Sequence, residues 1–224
     1  MKRVLLLAFV MAACGGSGSG NTAVDRNRAG TGSATLLVSA TVTVTNSSTT
    51  PSTALGVDVS DGLNAKVSGA TVTIQNAGLG GDVALTEGTA GSGHYTASKT
   101  SLPSGDFTLS VVSGTNKVQG VVLGSPGVHA INAPALNGTV TANQPLDVSW
   151  TTPAMAKSAT ITTRNYTIQV PDTGAYTIPA ANNPVRTGQR VIITRTNETD
   201  IAGGLPGSSI RASVTTTVDP FNVQ

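Results

Sequence analysis

The chain has 224 residues, with 13 lysines and arginines against 11 acidic residues, and only 11% of its residues are charged. That is less than half the roughly 25% of ordinary soluble domains, and the positive charges are not clustered, so no nucleic-acid footprint is expected. A single cysteine excludes a disulfide framework within the chain, and much of the polarity comes from Thr, Ser, Asn and Gly.

Lys2 and Arg3 precede an apolar run, Val4 to Met11, followed by Ala12, Ala13 and Cys14. Charge, apolar core and small residues in that order predict a secretory signal over residues 1–13. The run is far shorter than the roughly 20 residues that span a bilayer. The stretch MAAC resembles the lipobox of bacterial lipoproteins, with Met11 where that family usually has Leu. The resemblance implies cleavage before Cys14, a diacylglycerol on its thiol and acylation, palmitate being typical, of its new amino group. Gly15 rather than Asp after the cysteine implies, by the same resemblance, the outer membrane of a Gram-negative cell, with surface or periplasmic face left open. One acyl chain holds marginally and two or more hold stably, so the membrane is an expected partner through Cys14. Without Lys2 and Arg3 the chain carries 11 basic and 11 acidic residues. Residues 15–33, GGSGSGNTAVDRNRAGTGS, offer almost nothing to bury, and a flexible tether over 14–33 is expected.

Strict alternation begins at residue 36. LLVSATVTVT sets Val42 and Val44 on one face and threonines on the other. LGVDVSDG, ATVTIQN, DVALT, HYTAS, DFTLSVVS and KVQGVVL continue the pattern, separated by Gly- and Asn-rich turns. Short alternating runs with such punctuation predict antiparallel strands, about seven of them. Residues 56–122 carry VDVSDGLNAKVSGATVTIQN, GSGHYTA and SGDFTLSVVSG, and resemble the carboxypeptidase regulatory-like, transthyretin-type sandwich. That resemblance implies a scaffold or interaction module with no catalytic residues.

GSPGVHAINAPALN follows, and a boundary is expected near Pro126. LDVSWTTP, SATITTR, YTIQVPDTGAYTIPA, QRVIITRTN and SIRASVTTTV belong to about seven further strands. Residues 136–197 are similar to fibronectin-III-like and wall-assembly Ig-like modules. Trp150 is the expected buried inter-sheet tryptophan, and Asp172, Gly174 and Tyr176 fit the D-x-G-x-Y spacing of a tyrosine corner. The expected fold class is all-β: two Ig-like antiparallel β-sandwich domains, 34–125 and 126–224, after the signal and tether.

Little in the sequence points to chemistry. His94 and His129 fall in different predicted domains without ligand neighbours at metal spacing. Ser92 next to His94 reads as a glycine-rich hairpin turn. Asp58/Asp61 and Glu198/Asp200 read as turn acids, with calcium as the open alternative. No catalytic residue, metal or cofactor is expected, nor an enzyme. The expected function is a lipid-anchored envelope protein acting through protein–protein contacts, as in adhesion or as an accessory subunit of a motility or secretion apparatus. The alternative is a solute- or glycan-binding module presenting ligand to a transporter or enzyme. Loop recognition and a ligand-induced melting shift would favour the second.

Overall fold

The computed structural model describes residues 26–47 and 49–224. The signal, Cys14 and residues 14–25 of the expected tether therefore lie outside the described residues. Among these residues the chain forms eight strands before Pro126: β1 (Thr31–Gly32), β2 (Leu36–Asn46), β3 (Ser52–Asp61), β4 (Thr71–Asn76), β5 (Gly81–Glu87), β6 (His94–Lys99), β7 (Phe107–Ser113) and β8 (Asn116–Leu123). Eight follow: β9 (Ile131–Ala133), β10 (Thr139–Val140), β11 (Leu146–Trp150), β12 (Ser158–Thr162), β13 (Thr167–Val170), β14 (Ala175–Ile178), β15 (Arg186–Asp200) and β16 (Ser209–Val223). The protein is an all-β protein built of packed β-sheets. Among the described residues no helix is long and apolar enough to cross a membrane.

The first sandwich packs β1-β8-β7-β4-β5 over β6-β3-β2-β16. β5 passes between the layers, pairing with β4 through residues 81–85 and with β6 through Thr86 and Glu87. Alternation does the burying. In β2 the apolar residues Val38, Ala40, Val42 and Val44 are inside while Ser39, Thr41, Thr43 and Thr45 are exposed. They meet Val72, Ile74, Phe107 and Leu109 of the facing layer in one core. The second sandwich packs β9-β11-β14 against β15, β16, β12 and β13, closing a core around Val148, Trp150, Ile161, Ile193 and Phe221.

The boundary at residues 125 and 126 is not where the sandwiches part. β16 runs parallel to β2 through residues 209–216, and its far end pairs with β15 beside the second core. Ile201, Ile210, Ala212 and Val214 are thereby buried in the first core. Two strands of 15 residues each, β15 and β16, serve both sandwiches. The pairing is antiparallel apart from β16, which pairs parallel with β2 and with β10. A strand arriving from far along the chain is not bound by hairpin geometry.

The tether is shorter than its composition suggests. Arg28 exchanges backbone hydrogen bonds with Val122 at 2.8 and 2.9 Å, and β1 pairs with β8. Glycine permits this rather than preventing it: a Cβ at Gly32 would sit 2.2 Å from the Gly203 carbonyl and 2.3 Å from that of Lys117. Backbone packs directly on backbone, so no apolar side chain is needed to hold residues 26–33.

The outer face of the shared sheet is lined by hydroxyl side chains, exposed on β2, half-exposed across β16, β15 and β12, and buried at Thr196. Thr43, Ser213, Thr196 and Ser158 are register neighbours on β2, β16, β15 and β12. One step along, Thr45, Thr215, Thr194 and Thr160 form a second row across the same four strands.

Candidate functional site

The polar chemistry concentrates where the two sandwiches meet. β15 continues the inward alternation of Val191 and Ile193 with Arg195 and Asn197, which are buried. A buried guanidinium needs a countercharge and a full set of acceptors. Arg195 has both: Nε lies 3.0 Å from each oxygen of Asp172, and Nη2 donates to Asp172 Oδ2 and to the Ala154 carbonyl. Nη1 donates to the carbonyls of Pro126 and Gly127. The pair is sealed from water, with side chains 0% and 2% exposed.

The linker after β8 is held along its length by side chains. Asn27 Oδ1 accepts from the Gly124 amide at 2.8 Å, and Asn197 Nδ2 donates to the Gly124 carbonyl at 2.8 Å. Arg195 takes Pro126 and Gly127. Asn46 Nδ2 and Thr216 Oγ1 donate to the His129 carbonyl at 3.1 and 2.9 Å. Thr151 Oγ1 accepts from Ala130 at 2.9 Å. Side chains from β2, β15 and β16 therefore replace the regular ladder that the linker lacks.

His129 lies inside this arrangement, buried, with neither ring nitrogen meeting a partner in hydrogen-bonding geometry. Burial and then the Arg195 guanidinium pull its pKa down to about 4, against weaker opposing pulls from the Ile193 backbone and the Asp172 carboxylate. The imidazole is neutral at physiological pH.

Beside the linker lies a cleft of about 250 Å³ whose wall includes Arg26, Ser125, Met155, Lys157, Asn197 and Glu198. Arg26 is paired with Asp106 at 3.0 Å on its rim. The cleft could accept a small polar molecule.

The structure places the sequence-predicted residues as follows. Trp150 is 3% exposed in the second core, and its Nε1 donates to Asp172 Oδ1 at 2.8 Å. Asp172 therefore joins the tryptophan to Arg195. Gly174 has φ +85°, a conformation that favours glycine, and its carbonyl accepts from the Trp150 amide at 2.8 Å. Tyr176 does not make a tyrosine corner. Its hydroxyl meets the hydroxyl of Tyr166 at 3.0 Å, a side-chain partner instead of backbone, and that bond raises the Tyr166 pKa. The tyrosine that does bind backbone is Tyr95 in the first sandwich, donating to the Val67 carbonyl at 2.8 Å and accepting from the Ala70 amide at 2.9 Å.

His94 pairs with Asp58 at 2.9 Å on the exposed face of β3 and β6. Asp61 Oδ1 caps its turn by accepting from Leu63 and Ala65 at 2.8 and 2.9 Å. Glu87 similarly gathers Ser68, Gly69 and Gly93, and these bonds, that of Ser68 foremost, hold its carboxyl below its usual range. Ser92 Oγ accepts from the His94 amide at 3.2 Å. Glu198 and Asp200 are exposed at the end of β15. Among the described residues no three His, Cys, Asp or Glu side chains converge. Sequence reasoning missed Arg195, Asn197 and Asn46. The signal for Arg195 and Asn197 was present, since both occupy inward positions of β15.

Fold and junction together define an all-β protein of two sandwiches joined by shared strands and a pinned linker. No family model and no curated protein sequence matches the chain. Among solved structures it is similar to the Yersinia pseudotuberculosis adhesin InvE, at 16% identity over 81% of this chain and 60% of that one, TM-score 0.27. The chain thus spans 60% of the adhesin's length. It is also similar to fibronectin(III)-like modules of Clostridium thermocellum CbhA, at 14% identity over 84% of this chain and 94% of that one, TM-score 0.28. A third likeness is to DIP-gamma IG1+IG2, at 9% identity over 85% and 98% of the two chains, TM-score 0.28. At such low superposition the fold rests on the strand pairing above.

Proposed function

We propose that this is an exported, lipid-anchored protein of the bacterial outer membrane that works through protein–protein contacts, in adhesion or as an accessory subunit of an envelope machine. Its chain is not an enzyme in this reading. The observation that carries the contact role is the Thr and Ser face across β2, β16, β15 and β12, exposed at Thr43 and Thr45, half-exposed at Ser213, Thr215, Thr194, Ser158 and Thr160, and interrupted at the buried Thr196. Shared strands and a pinned linker hold that face in one arrangement, so a partner engaging it meets little ordering cost. Threonine and serine offer hydrogen bonds without the desolvation penalty of charges. The anchor is read from the sequence around Cys14.

Two measurements on cells test this reading. Cells expressing wild type or Cys14→Ala are lysed and fractionated: anchoring predicts that wild type partitions with membranes and the variant does not. A photo-crosslinking residue at Thr43 or Ser213 is expected to capture a discrete envelope protein, and one at Asn137 is not. A Cys14→Ala variant that stays membrane-bound refutes the anchor, and equal capture from all three positions refutes the face.

A second reading, binding of a small polar solute, is supported by the cleft beside Lys157 and Glu198. A rise in Tm with a solute, lost in Lys157→Ala, would favour it.

A further inference from the structure

We propose that the junction between the two sandwiches is an acid-operated latch, with His129 as its proton-sensing element and the linker of residues 124–130 as the part it releases. This goes beyond the contact role and does not depend on it.

The argument is geometric. His129 is 1% exposed, yet both ring nitrogens lack partners. Neutral, the ring fills space between the sandwiches. Protonated, it carries two N–H donors and a charge, against which stand only the weak pulls of the Ile193 backbone and the Asp172 carboxylate. The charged groups acting on it are Arg195 from β15 and Asp172 from the turn between β13 and β14. Asp172 is already committed, since its oxygens take Arg195 and the Trp150 indole. Arg195 repels a second cation. β2 and β16 present Asn46 and Thr216, whose hydrogen bonds go to the His129 carbonyl, not to the ring. No element packed there supplies a free anion.

Relief lies in releasing the ring to water, and the linker is built for it. Residues 124–130 belong to no strand, and Val128 and Ala130 on either side are half-buried and exposed. Release gives up the bonds of Asn27, Asn46, Thr151, Arg195, Asn197 and Thr216 to the linker and uncovers the buried Gly124, Ser125 and Pro126, while the pairing of β2 with β16 does not run through these residues. A ring neutral inside down to about pH 4 and ordinary at 6.5 outside gives linkage of one sign. Opening is disfavoured above about pH 6.5, becomes easier as pH falls, and stops changing below about pH 4. Between pH 7 and pH 4 the open fraction relative to closed rises about 100-fold, by the same proton linkage.

Trp150 is the only tryptophan in the chain and shares Asp172 with Arg195, so its emission reads the latch directly. The full chain is examined from pH 7 to pH 4 by Trp150 fluorescence and by hydrogen exchange corrected for the intrinsic pH dependence. The expected result is a reversible emission change and about 100-fold faster exchange confined to residues 124–130, with β2 and β3 still protected. His129→Phe and His129→Gln, which cannot titrate, are expected to flatten both responses. If neither variant folds, the wild-type imidazole resonance decides: it must titrate together with Trp150 emission. The proposal is overturned if exchange in β2 rises in step with the linker, if the variants keep the wild-type pH response, or if the His129 resonance titrates while Trp150 emission stays constant.

Discussion

Asp172→Ala tests the junction most directly. The substitution leaves Arg195 fully buried with its charge uncompensated, because its other partners are the carbonyls of Pro126, Gly127 and Ala154. It also leaves the Trp150 indole N–H without its acceptor. Removing one member of a buried, hydrogen-bonded ion pair destabilises by about 3–5 kcal/mol. For a chain of this size each kcal/mol lowers Tm by about 2–4 °C, so a drop of about 6–20 °C is expected. Urea titrations at pH 7 followed by circular dichroism give the free energy, and calorimetry gives Tm. The double variant Asp172→Leu with Arg195→Met separates pairing from packing. Each single change orphans a charge that the second removes, so the double loss should fall short of the sum by at least about 2 kcal/mol. A loss under about 1 kcal/mol for Asp172→Ala, or strict additivity in the cycle, would refute the view that this pair holds the junction.

The two tyrosine hydroxyls should differ. Tyr95→Phe orphans the Ala70 amide and Val67 carbonyl in the first sandwich, with an expected loss of about 1–3 kcal/mol by urea titration. Tyr176→Phe removes only a half-buried contact with another hydroxyl and should lose less than about 1 kcal/mol; equal losses would show that backbone partnership is not the deciding factor. Gly32→Ala drives a methyl group into the carbonyls of Gly203 and Lys117, so residues 26–33 should peel from β8 and trypsin should cut at Arg28 far faster than in wild type. The His129 linkage also appears as stability: the gap between about 4 and 6.5 corresponds to about 3 kcal/mol, present above pH 6.5 and lost as pH falls towards 4. The difference between wild type and His129→Phe in unfolding free energy should therefore shrink or reverse from pH 4 to pH 7, and a constant difference would remove His129 as its source.

What the sequence disclosed divides along the line between local and distant pairing. Period-two alternation reports which side chains turn inward, so β2, β4, β7 and β11 were legible with their buried residues. It does not report which strand lies beside which. β16 joins β2 across more than 160 positions, Val42 beside Ala212, and no turn chemistry encodes that neighbour. The division of the chain into two consecutive sandwiches failed for this reason: a strand counted with the second half completes the first. Residues 26–33 failed differently. Composition measures what side chains can bury, and here the contact is made by backbone on backbone at Gly32 and Gly203.

The junction was partly legible, and its case shows which rule to apply. Reading VIITRTN as Val191, Ile193, Arg195 and Asn197 inward puts a cation and an amide into a core. Such a pattern is either a wrong register or a place where the fold meets a polar demand of its own. The register is correct, and the demand comes from a linker of Gly, Ser and Pro that leaves its carbonyls unpaired. The same logic applies to His129, a titratable side chain in that linker buried without partners. A charge fully paired at Arg195 and a neutral imidazole left without hydrogen-bond partners at His129, within one junction, is the arrangement expected of a joint that is firm at neutral pH and yields to protons. Substituting Asn197, which holds Gly124 and Met155 on the Arg195 side, should weaken the joint without altering its pH dependence, whereas substituting His129 should alter the pH dependence. If the two substitutions changed both properties alike, firmness and proton response would not be separable in this junction.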